Sequence, residues 1–175
     1  TRLHPECRRA VDETAELLRT LGHDVGAAEV DYGTITIAQA IPRVLRGIHD
    51  DPAGLVDPER LERRTRHVRK LGGLVSPSML VRVREREADA TRRLNAIFET
   101  HDVVLTPALS EPPVEVGRWE GLGMVRTLMA PGNVVAFIPF APVWNVTGQP
   151  AVSVPAGFTR EGLPLAVQIV GRPRD

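Results

Sequence analysis

The sequence holds one cysteine, Cys7, and one lysine, Lys70, among 175 residues. A single cysteine excludes an intrachain disulfide and any zinc site built from several thiolates. Net charge is absent as well: the 22 basic and 22 acidic residues cancel. No global field therefore recruits nucleic acid or an anionic membrane surface. No apolar run approaches the roughly 18 residues that a membrane-spanning helix needs. The five histidines, His4, His23, His49, His67 and His101, are scattered without ligand-like spacing, so neither a metal nor a cofactor is expected. Gly117 to Gly123 is glycine-rich but follows no strand, so it lacks the setting of a phosphate-binding loop.

What is present is ordinary for a folded protein. Hydrophobic residues make up 42% and charged residues 25%, which argues against disorder. The length suits one domain, in which about 70% of the unfolded surface would be buried. Of the 22 basic residues, 21 are arginine, a skew that a GC-rich genome accounts for.

Along the chain, Pro5 to Leu21 reads as a helix, with Cys7, Val11, Thr14, Leu18 and Leu21 at helical spacing and Gly22 as its stop. His23 to Val30 is expected as a short strand. Thr34 to Ile48 reads as a helix that Pro42 kinks or delays. Asp57-Pro58 is the expected start of a third helix, ended by Gly72-Gly73. Ser76-Pro77 opens the longest helix, to about Thr100, with Leu80, Val83, Glu87, Ala90, Leu94, Ile97 and Phe98 on its buried side. Asp102 to Pro107 suits a buried strand. A proline- and glycine-rich stretch follows, with a short helix expected around Met124 to Met129. Ala151 to Phe158 and Leu163 to Val170, joined by Thr159-Arg160-Glu161-Gly162, read as a hairpin. Pro155 removes a ladder donor, so its strand belongs at an edge or carries a bulge. The order of elements indicates an α/β fold with a mixed β-sheet flanked by helices.

A nucleophilic hydrolase needs a nucleophile, a base and an oxyanion hole close together. Ser76 and Ser78 flank a helix start, Ser110 lies in a proline-rich loop, and Ser153 alternates with Val152 and Val154 in a strand. None has a glycine elbow. Cys7 sits on an apolar stripe, and Lys70 lies among Arg66, His67 and Arg69, so the residues by themselves assemble no catalytic constellation.

Four segments nevertheless resemble one family. Trp144-Asn145-Val146-Thr147-Gly148-Gln149-Pro150-Ala151 resembles the Asn-x-Thr-Gly-x-Pro-Ala segment of amidase-signature enzymes. Gly162 to Pro173 is similar to that family's next strand, and Asp102 to Pro107 to its Asp-x-Leu-Leu-Thr-Pro strand. His4 to Val25 is similar to the helix and strand after its catalytic core. The resemblance implies that residues 1–175 are the C-terminal portion of a single amidase-signature domain. It implies hydrolysis of a carbon–nitrogen amide bond in a small-molecule substrate by a serine, a second serine on a cis peptide and a lysine. All three lie in a glycine- and serine-rich N-terminal core, and no position here matches them, so no catalytic residue is assigned. The resemblance places Val135, Ile138, Pro142 and Trp144 along the acyl side of the substrate cleft. It makes Asn145, Thr147, Gly148 and Pro150 a structural motif, in which the Asn145 amide would fix the turn. The expected partner is the N-terminal catalytic core, with homodimerisation as another way to cover the apolar surface. No nucleic acid or membrane partner is expected, and the expected location is cytoplasmic. Two alternatives stand beside this reading: the A-type subunit of a tRNA-dependent amidotransferase, and a non-enzymatic scaffold or binding module from a split gene.

Overall fold

The computed structural model describes residues 3–32, 36–51, 57, 60–123, 126–127 and 134–173. Helix α1 spans Pro5–Thr20. His4 caps it by accepting the Glu6 N–H on Nδ1, and Pro5 occupies the first turn, where its missing N–H costs nothing. Helix α2 spans Thr36–Asp50 and runs through Pro42. Helix α3 spans Arg63–Gly72, and α4 spans Pro77–Asn95 and continues as a 3-10 turn over Ala96–Glu99. Ser76 caps α4 as its sequence indicates, accepting the Met79 N–H at 3.2 Å. Strand β1 spans Val103–Pro107. Two short helices follow, α5 over Val134–Phe137 and α6 over Ala141–Thr147, and strands β2 (Ala151–Phe158) and β3 (Pro164–Gly171) close the chain.

The described strands form one sheet in the order β1-β3-β2. Both pairings are antiparallel, so the parallel pairing of a mixed sheet is not made between described strands. The β2–β3 hairpin is as expected, with Thr159 closing the turn through bonds to Glu161, Gly162 and Leu163. Pro155 meets both of its expectations. Among the described strands β2 is an edge, and its register shifts between Pro155 and Phe158, where Gly157 takes φ 89°.

The ladder geometry shows which backbone groups face outward. The Ala108 N–H donates to Ala166 O at 3.1 Å, and the Gly171 N–H donates to Pro150 O at 2.9 Å. Bonded pairs alternate along an antiparallel ladder, so even-numbered β3 residues bond β1 and odd-numbered ones bond β2. Ala151 and Ser153 therefore turn N–H and C=O away from β3, and Pro155 its C=O alone. On the other edge Val103 and Leu105 turn both groups outward, and Pro107 its C=O alone. Each proline thus sits where its lost donor would point off the sheet.

Two clusters form the core. Leu94, Phe98, Val143, Trp144 and Val170 make the larger one, with Val30, Tyr32, Ile97 and Val104 packed against it. Cys7, Ala10 and Leu165 make the smaller one under α1. In α4 the buried side is Val83, Glu87, Ala90 and Leu94, while Leu80 is only half-buried. Glu87 is held by Arg43 Nη1 at 3.0 Å, which ties α2 to α4; Arg84, Glu85 and Arg86 are solvated.

Two elements differ from expectation. Residues 23–30 form no strand: Gly26, Ala27 and Ala28 have little to pack, and only Val30 and Tyr32 reach the core. Helix α3 starts at Arg63 and not at Pro58, which lies outside the described residues, because Glu62 is extended at ψ 142°. Leu61 therefore precedes the helix, its carbonyl taken by Arg66 Nη1 at 2.7 Å. The helix expected around Met124 to Met129 falls mostly outside the described residues. Among the described residues no helix is long and apolar enough to cross a membrane.

Candidate functional site

The candidate substrate-lining residues lie on α5, α6 and the turn between them. Pro139 and Pro142 stiffen this run, and Pro142 occupies the first turn of α6. Ile138 and Pro142 are half-buried, partly open to solvent. Val135 lies in α5, but its side chain is outside the described residues. Trp144 is in a different position. It is 1% exposed and packs among Leu94, Phe98, Val143 and Val170, with the Tyr32 ring edge-on at 6.0 Å. Its indole N–H is buried without a hydrogen-bond partner among the described residues. Trp144 therefore anchors α6 to the core, and Ile138 and Pro142 are left to offer surface.

The motif residues fix how α6 hands over to β2. Gly148 ends the helix in the left-handed conformation, φ 81°, and its N–H donates to Trp144 O at 2.8 Å. The Thr147 hydroxyl donates to Val143 O at 2.9 Å and also contacts Gln149 Oε1. Pro150 offers its carbonyl to Gly171. The amide that holds the turn is Gln149 rather than Asn145. Gln149 is buried and its Nε2 donates to Asn95 Oδ1 at 2.7 Å, whereas Asn145 lies on the exposed side of α6. Sequence reasoning missed Gln149 and Asn95; the signal available was a polar residue held between Gly148 and Pro150.

The described serines are all accounted for without chemistry. Ser76 caps α4 and shares a hydrogen bond with Ser78 at 3.0 Å. Ser110 donates to Ala136 O at 2.6 Å. Ser153 is exposed on β2, and Lys70 is exposed on α3, a helix that packs on α2. No three His, Cys, Asp or Glu side chains converge to hold a metal ion among the described residues. An open hollow of about 270 Å³ lies between His4, Pro5, Glu6, Arg9 and Arg160. Its charges satisfy one another, with Glu6 and Arg9 2.7 Å apart, and the Arg9 guanidinium holds the Glu6 carboxyl below its ordinary range.

Among the described residues, then, helices pack on a three-stranded antiparallel sheet and no catalytic constellation forms. The structure resembles 6-aminohexanoate cyclic dimer hydrolase complexed with substrate, at TM-score 0.83 and 22% identity, over 97% of this chain and 38% of that one. It also resembles a bacterial aryl acylamidase of the amidase signature family, at TM-score 0.70 and 18% identity, over 98% of this chain and 37% of that one. These likenesses define the fold. The sequence is 43% identical over 95% of its length to the protein named as amidase AmiB2 in Mycobacterium tuberculosis. It is 35% identical over 97% of its length to the one named as amidase AmiA2. The family model "Amidase" matches residues 1–175, and the chain belongs to that family. It spans 35% of the length of AmiB2 and 34% of AmiA2.

Proposed function

We propose that this chain contributes the non-catalytic, C-terminal portion of an amidase, a hydrolase that cleaves a carbon–nitrogen amide bond to a carboxylate and an amine or ammonia. The observation that carries this reading is the family match along the whole chain, at 43% identity to a protein about three times as long. In it, Ile138 and Pro142, with Val135, line part of the acyl side of the cleft, and Trp144 anchors α6 behind Pro142. The Thr147–Val143 and Gln149–Asn95 bonds and Gly148 set the turn that joins this lining to the sheet. The partner is an N-terminal catalytic core, whose strand pairs with the outward groups of Ala151 and Ser153 on β2. The reading as an amidotransferase A-type subunit is supported by fold alone. That likeness, of TM-score 0.69 and 21% identity, is to the A-type component of the glutamyl-tRNA(Gln) amidotransferase from Thermotoga maritima.

A chimera tests this. The C-terminal 35% of AmiB2 is replaced by this chain, and a panel of aryl and aliphatic amides is assayed beside AmiB2 itself. Turnover by the chimera is expected. A folded chimera without turnover, on an amide that AmiB2 hydrolyses, would refute the reading.

A further inference from the structure

Ser110 has no part in the reading above, yet it is buried and aims both of its donors at one short segment. Helix α5 is a single turn, and its last carbonyls take donors from outside the helix. The chain runs on into Pro139, which has no N–H to return to them. Ser110 supplies donors from outside: its N–H donates to Phe137 O at 3.0 Å, and its Oγ lies 2.6 Å from Ala136 O and 3.3 Å from Phe137 O. Its own carbonyl accepts the His4 N–H at 2.8 Å, which ties the same point to the start of α1. On the other side the Phe137 ring meets Trp119 edge-on, with centroids 5.5 Å apart. Trp119 is itself held, its carbonyl accepting from Arg64 Nη2 at 3.2 Å.

We propose that Ser110 is a positioning residue, a latch that sets the Phe137–Pro142 turn against Trp119 and so fixes the surface offered to the acyl group. The proposal rests on reading that turn as cleft lining. Without the hydroxyl, Ala136 O at the end of α5 loses its Ser110 side-chain donor, only the Ser110 N–H still holds Phe137 O, and the turn shifts about Pro139. Phe137 then leaves Trp119. A hydroxyl is what the geometry asks for, so threonine replaces serine here and alanine does not.

Two measurements decide it. Trp144 is closed to solvent, so acrylamide quenching of this chain reports Trp119, the other tryptophan. Ser110→Ala is expected to raise the quenching constant roughly twofold or more as the ring opens to solvent, with Ser110→Thr near the parent value. Should Ser110→Ala lose its helical circular dichroism, Ser110→Cys, which keeps the size and donates weakly, takes its place. In the AmiB2 chimera, Ser110→Ala should raise KM about tenfold with kcat little changed, the equivalent of one lost hydrogen bond. Quenching unchanged in a folded Ser110→Ala chain would overturn the latch. A lower kcat at constant KM would overturn the positioning role, since it marks only a smaller folded fraction. A chimera without activity counts against the proposed function, and quenching then decides the latch alone.

Discussion

Cys7 shows how much a single small side chain can report. Its thiol is buried between α1 and the sheet, and burial first, then the charges of Glu111 and Glu6, push its pKa above the ordinary value. Between the unfolded thiol value, about 8.5, and the raised folded value, only the folded chain keeps the proton. Unfolding then releases it, so stability falls as pH rises through that window. The melting temperature should therefore drop from about pH 8.5 upward, and less steeply in Cys7→Ala. Equal slopes in the two proteins would contradict this assignment. Tyr32, also raised by burial, adds a loss of the same sign above about pH 10 in both. Cys7 was legible as a small core residue because it falls on a helical stripe. Gln149 and Ser110 were not, because each acts on a partner far along the chain, 54 and 26 residues away.

Among the elements, α2 and α3 approach closely at Gly72. A Cβ added at Gly72 would stand 2.0 Å from Leu45 O and 2.9 Å from His49 Cβ, both fixed in α2. Neither atom is the end of a flexible side chain, so the helices themselves would have to part. Gly72→Ala should cost about 3 kcal/mol or more, the upper end of overpacking, read as a lower denaturant midpoint. An unchanged midpoint would mean that this crossing is not formed in solution. Sequence reasoning saw Gly72 only as a helix stop, because the close approach comes from a neighbour in space. Elements with local punctuation were legible: Ser76-Pro77 before α4, and the Thr159–Gly162 turn of the hairpin. Residues 23–30 misled because Gly26, Ala27 and Ala28 bring little bulk to pack, and α3 because Glu62 breaks the helical path. Val135, Ile138 and Pro142 were legible only through family resemblance, since apolar residues in a turn carry no chemical signature.

At the scale of the whole molecule, apolar surface is left over. Leu17 and Leu21 at the end of α1 are 58% and 66% exposed, Val152 and Phe158 on β2 are 55% and 65%, and Leu74 beyond α3 is 79%. Strand β2 carries Val152 and Phe158 on an edge whose outward N–H and C=O groups pair with no described strand. Open edges and apolar side chains together favour association. The isolated chain should bind a hydrophobic dye and sediment as a concentration-dependent mixture with dimers. A strictly monomeric, dye-silent chain with a cooperative melt would favour a self-sufficient scaffold module instead. In the proposed reading the chain carries the fold and one wall of the cleft, and the reacting groups lie elsewhere. Amide turnover by the purified chain alone decides this. No hydrolysis above the buffer rate is predicted for any aryl or aliphatic amide, because among the described residues no serine has a base and an oxyanion loop beside it. Turnover that Ser153→Ala abolishes would contradict it.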